Sequence, residues 1–259
     1  MKTISRYLRG LRALQVGIAL LAAPIAHADF LEQVRADYAA HYAEDKLVSL
    51  GVLAGAGGLL SHDDVEQTIG RKLNPENRPL FGRNSTKQGN ELGAAATLRA
   101  ALPVYLLAAW LGDDAAAGSL LDSTARWGRR SMRALLLGLP QHAVFMASDS
   151  DPEAALRLWR GDPGPAGQAF LAGVPLLTAA RLAENGLIRV GLFALSALPG
   201  MARIDGNGRQ LSHAVIGWGL SFLSTGTVAR DDPVRELPFE IVPVLLPDGG
   251  AGIRLERRW

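Results

Sequence analysis

The stretch ARIDGNGRQLSH, residues 202–213, places two arginines and a histidine around a turn rich in glycine. Arg203 and Arg209 stand six residues apart, and His213 follows four residues after the second arginine. Guanidinium groups make charge-assisted hydrogen bonds to oxyanions, and Gly206 and Gly208 let backbone N–H groups approach such an anion. The stretch therefore predicts a site for phosphate or another oxyanion at the turn between two helices.

A second stretch, PAGQAF at residues 165–170, extends the pattern. Together the two stretches resemble the second and third signatures of the type 2 phosphatidic acid phosphatase/vanadium haloperoxidase superfamily. There the second signature, Pro-Ser-Gly-His, supplies a general-acid His. The third, Ser-Arg, five residues, His, three residues, Asp, supplies a phosphate-binding Arg, an attacking His and an Asp that orients it. The resemblance implies that Arg203 and Gly167 keep phosphate-binding positions, whereas the three reactive positions fall on Gln168, Arg209 and His213.

The first signature of that superfamily, Lys, six residues, Arg-Pro, is poorly matched. With Pro152 as the anchor, Val144 and Asp151 stand in place of the two cations. A second fit runs from Arg71 to Arg78 and the following proline, but it lies far upstream in a polar loop, and we interpret it as a chance match.

The reactive positions decide what chemistry the site can perform. Arginine stays protonated and has no lone pair to attack phosphorus, so Arg209 cannot act as the nucleophile. The amide of Gln168 cannot deliver a proton to a leaving group. On a helix His213 would lie about 6 Å along the axis from Arg209, whereas reacting atoms must approach to about 3–3.5 Å. The resemblance therefore predicts a degenerate phosphatase site that retains affinity for an anion.

Six apolar blocks rich in Ala, Leu and Gly have the length and composition of helices. They occupy residues 47–61, 92–111, 132–147, 167–183, 187–201 and 211–228, and a surface helix is predicted before them at 29–42. The resemblance covers residues 120–228 and implies an all-α fold, the six-helix bundle of the type 2 phosphatidic acid phosphatases. The tail at about 238–259 reads as a C-terminal β-hairpin, packed on the bundle or paired with a partner's edge strand.

The first 28 residues have the three regions of an export signal. Four cations precede an apolar run, and Ala26-His27-Ala28 is a small-x-small cleavage site, so we expect one domain over residues 29–259. The signal holds four of the 27 basic residues and none of the 25 acidic ones, which leaves the remainder with a net charge of −2. That charge argues against nucleic acid as a partner. We expect a periplasmic or inner-membrane-associated protein, with a membrane surface as one partner and no protein partner named by the sequence.

Three further features have ordinary structural interpretations. His142 lies in an apolar block and is predicted to be a core histidine with satisfied ring nitrogens. Residues 127–130, Trp-Gly-Arg-Arg, are predicted to form a basic turn or helix end, which could meet lipid headgroups. Residues 61–64 predict a helix start capped by Ser61 or Asp63 rather than a metal site.

We therefore expect an exported, non-hydrolytic protein that binds phosphate or a lipid phosphate and has no metal or cofactor. Two alternatives stay open. One is a divergent lipid phosphate or diphosphate phosphatase, a hydrolase whose rearranged site uses His213 or His142. The other is a structural or interaction protein of the envelope.

Overall fold

The computed structural model of the chain describes residues 28–73, 88–89, 91–93, 97–111, 115–147, 164–204, 210–230, 239–245 and 251–257. These residues are mainly helical, so the helical class predicted from the sequence is confirmed. The helices are α1 (Ala28–His41), α2 (Glu44–Leu60), α3 (Asp63–Leu73), α4 (Leu98–Leu111), α5 (Leu120–Ala147), α6 (Gly164–Leu182), α7 (Gly186–Met201) and α8 (Leu211–Val228).

Helices α6 and α8 form the centre of the bundle. Helix α6 packs against α5, α7 and α8, while α8 also contacts α1, α2 and α5. Helix α4 lies at the periphery and packs mainly on α5. The apolar core is formed by the inward faces of these helices, with buried residues that include Leu98, Leu102, Tyr105, Met132, Leu135, Phe170, Val174 and Leu220.

Small residues allow the central helices to approach closely. A Cβ added at Gly217 of α8 would collide with the backbone of Ala166 on α6, and one added at Gly173 of α6 would collide with the Ser221 side chain on α8. A Cβ added at Gly200 of α7 would lie 3.0 Å from the Cβ of Ala169 on α6. The glycine content of these segments thus serves close helix packing.

Helix α5 is longer than the sequence predicts. It begins at Leu120, twelve residues before the predicted block, and residues 127–130 lie within it, so the prediction of a basic turn there was wrong. The reason is non-local. A Cβ added at Gly128 would lie 2.7 Å from the Tyr105 oxygen and 2.8 Å from the Ala108 Cβ. Gly128 is therefore required for contact with α4, although in sequence it suggests a helix end.

The boundary between α2 and α3 also differs from the prediction in detail. Helix α3 begins at Asp63, as expected, and continues to Leu73. The Ser61 hydroxyl, however, donates to the Gly58 oxygen at 2.7 Å, so Ser61 bonds back to the end of α2 instead of capping α3.

Two antiparallel strands follow the helices. Strand β1 (Phe239–Leu245) pairs with β2 (Ala251–Arg257), with Phe239 opposite Arg257 and Leu245 opposite Ala251.

A buried ion pair attaches α1 to the bundle. Arg133 of α5 donates from Nε to Asp37 Oδ2 at 2.6 Å and from Nη2 to Asp37 Oδ1 at 2.8 Å. Its third nitrogen, Nη1, donates to Gln33 Oε1 at 3.0 Å. The Asp37 side chain is 0% exposed, and Arg230 Nη2 lies 3.9 Å from Asp37 Oδ1. The carboxylate is thus held by one bidentate guanidinium with a second cation nearby.

Two further bonds align the rest of α1. The hydroxyl of Tyr38 donates to the Leu136 oxygen at 2.8 Å. His41 Nδ1 lies 2.7 Å from the hydroxyl oxygen of Thr227 on α8, and that hydroxyl donates in turn to the Leu223 oxygen. Helix α1 therefore bridges α5 and the last turns of α8.

We expect Asp37→Asn to reduce the free energy of unfolding by about 3–5 kcal/mol, because it leaves the Arg133 guanidinium buried without a carboxylate. Urea unfolding monitored by circular dichroism measures the loss. Asp122→Asn is the matched control, since its pair with Arg126 is partly exposed and should cost about 1 kcal/mol or less. Equal losses in the two variants would contradict the importance of the buried pair.

Candidate functional site

One hydrogen bond joins the two stretches singled out in the sequence. Arg203 Nε donates to Gln168 Oε1 at 2.7 Å, although 35 residues separate the two side chains. Gln168 lies in the second turn of α6 and is 2% exposed, whereas Arg203 is exposed just beyond the end of α7. The bond therefore links a buried amide to a surface cation.

The packing of α6 and α7 produces this contact. The two helices meet where Ala169 faces Gly200, one residue after Gln168 and three residues before Arg203. Beyond α7 the chain makes one more turn, in which Arg203 N–H donates to the Gly200 oxygen and Ile204 N–H donates to the Met201 oxygen. That turn directs Arg203 back over α6.

Two glycines that the sequence analysis did not identify lie against the same contact. A Cβ added at Gly93 would lie 2.8 Å from Gln168 Oε1. A Cβ added at Gly89 would lie 2.7 Å from the Ala202 Cβ and 2.8 Å from the Leu198 oxygen. Both glycines are buried. Gly93 thus covers the Gln168 amide and Gly89 covers the end of α7, each at a distance that only glycine permits.

Arg203 is held at Nε by Gln168, and the residue is exposed to solvent. Within the described part of the chain, its side chain makes no other hydrogen bond or ion pair. A guanidinium group makes charge-assisted hydrogen bonds to oxyanions, so an exposed arginine held in this way is a candidate anion ligand.

The start of α8 already carries a negative group. Its N-cap residue, Gln210, has φ 73° and forms no side-chain cap bond. Instead Glu66 of α3 reaches the first turn, where its Oε1 accepts from the Ser212 N–H at 3.2 Å and the Ser212 hydroxyl at 2.9 Å. A helix N-terminus favours an anion, and here a side chain of the protein occupies that position.

The other predicted site residues have mixed outcomes. Gly167 is buried on α6 next to Gln168, and His213 is half-buried in the first turn of α8. Arg209 lies outside the described residues, as do Asp151, Pro152 and Arg78. Val144 is 71% exposed on the outside of α5, so the fitted first signature brings no described side chain to Gln168.

His142 is a core residue, as predicted, but its ring is not satisfied as predicted. It is 0% exposed, and its ring stacks on Phe170 with centroids 5.7 Å apart. Neither ring nitrogen has a hydrogen-bond partner among the described residues. Burial lowers the pKa of His142 to about 4, so the imidazole is neutral at pH 7. Such a buried ring does not meet a substrate at Arg203.

Among the residues that the structure describes, no three His, Cys, Asp or Glu side chains come together in a group able to hold a metal ion. None of the described helices has the length and apolar character needed to cross a membrane.

Comparison of the chain with protein-family models, with curated proteins and with solved structures finds no match.

The buried His142 predicts an acid-dependent loss of stability. The unfolded ring, with a pKa near 6.5, takes up a proton at a higher pH than the folded ring, with a pKa of about 4. Stability contributed by the neutral ring should therefore be complete above pH 6.5 and fall by up to about 3 kcal/mol as the pH approaches 4.

Urea unfolding at pH 7.0, 6.0, 5.0 and 4.5 measures this effect against His142→Leu. Burial also lowers the pKa of His41, so the variant should keep part of the pH dependence and lose the share that belongs to His142. Parallel pH profiles for the two proteins would show that His142 makes no such contribution.

Proposed function

We propose that this chain is an exported, non-hydrolytic oxyanion-binding protein whose fold is the six-helix bundle of the type 2 phosphatidic acid phosphatases with a C-terminal β-hairpin. Its ligand is phosphate or the phosphate group of a lipid. Arg203 binds the anion together with Arg209, and Gln168 orients Arg203. The observation that carries the proposal is the 2.7 Å hydrogen bond from Arg203 to Gln168.

This contact supports the proposal because the resemblance assigns both residues to one site. In the superfamily pattern the Arg of the third signature and the His of the second signature act on the same phosphate. Here the corresponding residues, Arg203 and Gln168, are in direct contact across 35 residues of chain. A separation beyond the reach of one phosphate would have argued against the alignment.

The same contact argues against hydrolysis. The Gln168 oxygen already accepts a hydrogen bond from Arg203, and its amide nitrogen cannot protonate a leaving oxygen. Arg203 is therefore positioned by a neutral amide, and this amide does not stabilise the charge that develops during phosphate hydrolysis. A phosphatase needs a nucleophile and an acid in addition to cations, and the described side chains at the contact supply only the cation.

Glu66 already occupies the N-terminus of α8. Its carboxylate lies at the N-terminus of α8, the part of the helix that would otherwise favour a bound anion most strongly. We infer that the oxyanion binds beside Arg203 and is not bound by the α8 amides that Glu66 occupies. A singly bound phosphate group, exposed on one side, fits both inorganic phosphate and a lipid headgroup.

We expect phosphate to stabilise the folded protein by about 2.7 kcal/mol at a hundredfold excess over the dissociation constant. Thermal unfolding in phosphate and in chloride at matched ionic strength measures the effect. Arg203→Ala should abolish the phosphate-dependent shift, whereas Arg99→Ala, which removes an exposed arginine of α4, should preserve it. A shift of equal size in both variants would contradict a site at Arg203.

Glu66→Gln provides a second arm of the same experiment. The amide can still accept from Ser212, so the helix cap is kept while the negative charge is lost. Phosphate should then bind more tightly than in the unaltered protein. Unchanged or weaker binding in this variant would show that the charge of Glu66 does not oppose binding of the anion.

A phosphatase screen with lipid phosphates, diphosphates and a chromogenic ester tests the hydrolase alternative. We expect no turnover above background, and none from Arg209→His alone, because nucleophile, acid and orienting residue act as a unit. Turnover that disappears in Arg203→Ala would overturn the non-hydrolytic proposal and establish a divergent hydrolase. The absence of both turnover and a phosphate-dependent shift would leave an envelope structural or interaction protein as the better account.

A further inference from the structure

Four helix ends meet at one end of the bundle. Helices α5 and α6 are antiparallel, since Trp127 Nε1 donates to the Pro175 oxygen at 2.9 Å and Gly138 lies against the Phe170 ring. The first residue of α5 and the last residue of α6 both lie seven residues beyond the Trp127–Pro175 bond, or about 10 Å. The end of α4 and the start of α7 follow by short connections.

Large apolar side chains project from this end at two places. The first tip consists of Trp110, Leu111, Leu120 and Leu121, at the junction of α4 and α5. The second tip consists of Leu187, Ile188 and Val190, at the start of α7. Leu120 is 83% exposed, Leu187 is 84% exposed and Trp110 is 72% exposed.

These side chains are not needed to start their helices. At the second tip Asn185 Oδ1 accepts from the N–H groups of Leu187 and Ile188, at 2.9 and 3.2 Å, which caps α7. At the first tip the Ser119 hydroxyl accepts from the Asp122 N–H, and Asp122 Oδ2 accepts from the Gly118 N–H. Polar groups therefore form both helix starts, and the exposed leucines add neither a cap nor core packing.

The outward face of α4 continues the first tip. Leu107 and Val104 are exposed one and two turns before Leu111, respectively, while Leu102 and Tyr105 on the opposite face are buried against the core. A helix that is apolar on its solvent side as well as its core side needs a second apolar environment. The exposed apolar surface therefore includes the outward face of α4 in addition to the two tips.

Arginines flank both tips. At the first tip Arg126 is exposed and pairs with Asp122 at 3.3 Å, and Arg129 Nη1 donates to the Ala109 oxygen at 3.5 Å, next to Trp110. At the second tip Arg189 Nη2 donates to the Ala183 oxygen at 3.0 Å. Exposed aliphatic residues with Trp and Arg nearby have the composition of a segment at a bilayer surface, where Trp and guanidinium groups sit at headgroup level.

We propose that this end of the bundle docks on an anionic phospholipid membrane, with both tips inserted at the boundary between headgroups and acyl chains. The flanking arginines then face the lipid phosphates. Two tips on different helix junctions, each with its own cations, suit a fluid apolar layer, which needs no shape complementarity with the protein. The proposal is independent of anion binding at Arg203, since neither tip contains a residue of that site.

The absence of cysteine from the chain permits a site-resolved test. Leu120→Cys and Leu187→Cys place one thiol on each tip for an environment-sensitive fluorophore. Val144→Cys and Leu59→Cys are matched controls, because these side chains are 71% and 74% exposed but lie away from the tips. Gly57 packs on Ile216 near the start of α8, which places Leu59 toward the opposite end of the bundle. Circular dichroism of each variant checks the fold.

With phosphatidylglycerol vesicles we expect a blue shift and an increase in emission from the labels at 120 and 187, and neither change at 59 and 144. High salt and pure phosphatidylcholine vesicles should reduce the effect, because the arginines contribute through charge. The local readout separates tip insertion from binding through residues 1–28, which every variant shares.

Three results would overturn the proposal. One is an unchanged emission spectrum of the label at either tip when vesicles are added, whether or not the protein binds to them. Another is an equal shift at all four labels, which would indicate general adsorption. The third is a spectral shift of the tip labels that appears without lipid as the protein concentration is raised. That result would identify a second copy of the chain as the occupant. Equal effects with phosphatidylcholine and phosphatidylglycerol would remove the anionic requirement.

Discussion

The ion pair between Asp37 and Arg133 is the constraint that the helical arrangement must satisfy. Both charges are removed from water, which is costly unless each is fully paired, and the bidentate geometry with the Gln33 oxygen provides that pairing. The pair fixes the rotation of α1 about its axis. It thereby places Tyr38 against the Leu136 oxygen and His41 against Thr227. Once α1 is in this position, α5 and α8 cannot slide past each other without breaking contacts to the same short helix.

Close packing between α6 and its neighbours then determines the candidate site. Gly217 brings α8 onto the backbone of Ala166, and Gly200 brings α7 onto Ala169. Gln168 lies between these two contacts in the sequence of α6, so its position is fixed from both sides. The amide is buried and still bonded, because the turn after α7 returns Arg203 to it. The geometry of the contact is therefore a result of glycine-mediated helix packing, although the contact itself is polar.

Sequence reasoning was most successful where a signal was local. Long apolar blocks predicted α2, α6, α7 and α8 to within a few residues, because their length and their Ala, Leu and Gly content are typical of helices. It failed where the role of a residue is a contact with another residue far away in the sequence. Gly128 suggested a helix end, but in the fold it accommodates the Tyr105 carbonyl of α4, and the first half of α5 was missed as a consequence. The roles of Glu66 and Gly93 depend on α8 and α6 respectively, at separations no local pattern reveals. The superfamily resemblance did select Arg203 and Gln168, which the fold brings together, but it did not select the residues that surround them.

The bond between His41 and Thr227 links the first described helix to the last across 186 residues. Formation of this contact closes a long loop, and the chain entropy lost in closing it opposes the contact. During synthesis α1 emerges first and has to wait for the end of α8 before it can take up its final position. Until then the His41 ring and the face of α1 that contacts α8 stay accessible. The contact between α1 and α8 therefore cannot form until the last turn of α8 has been made.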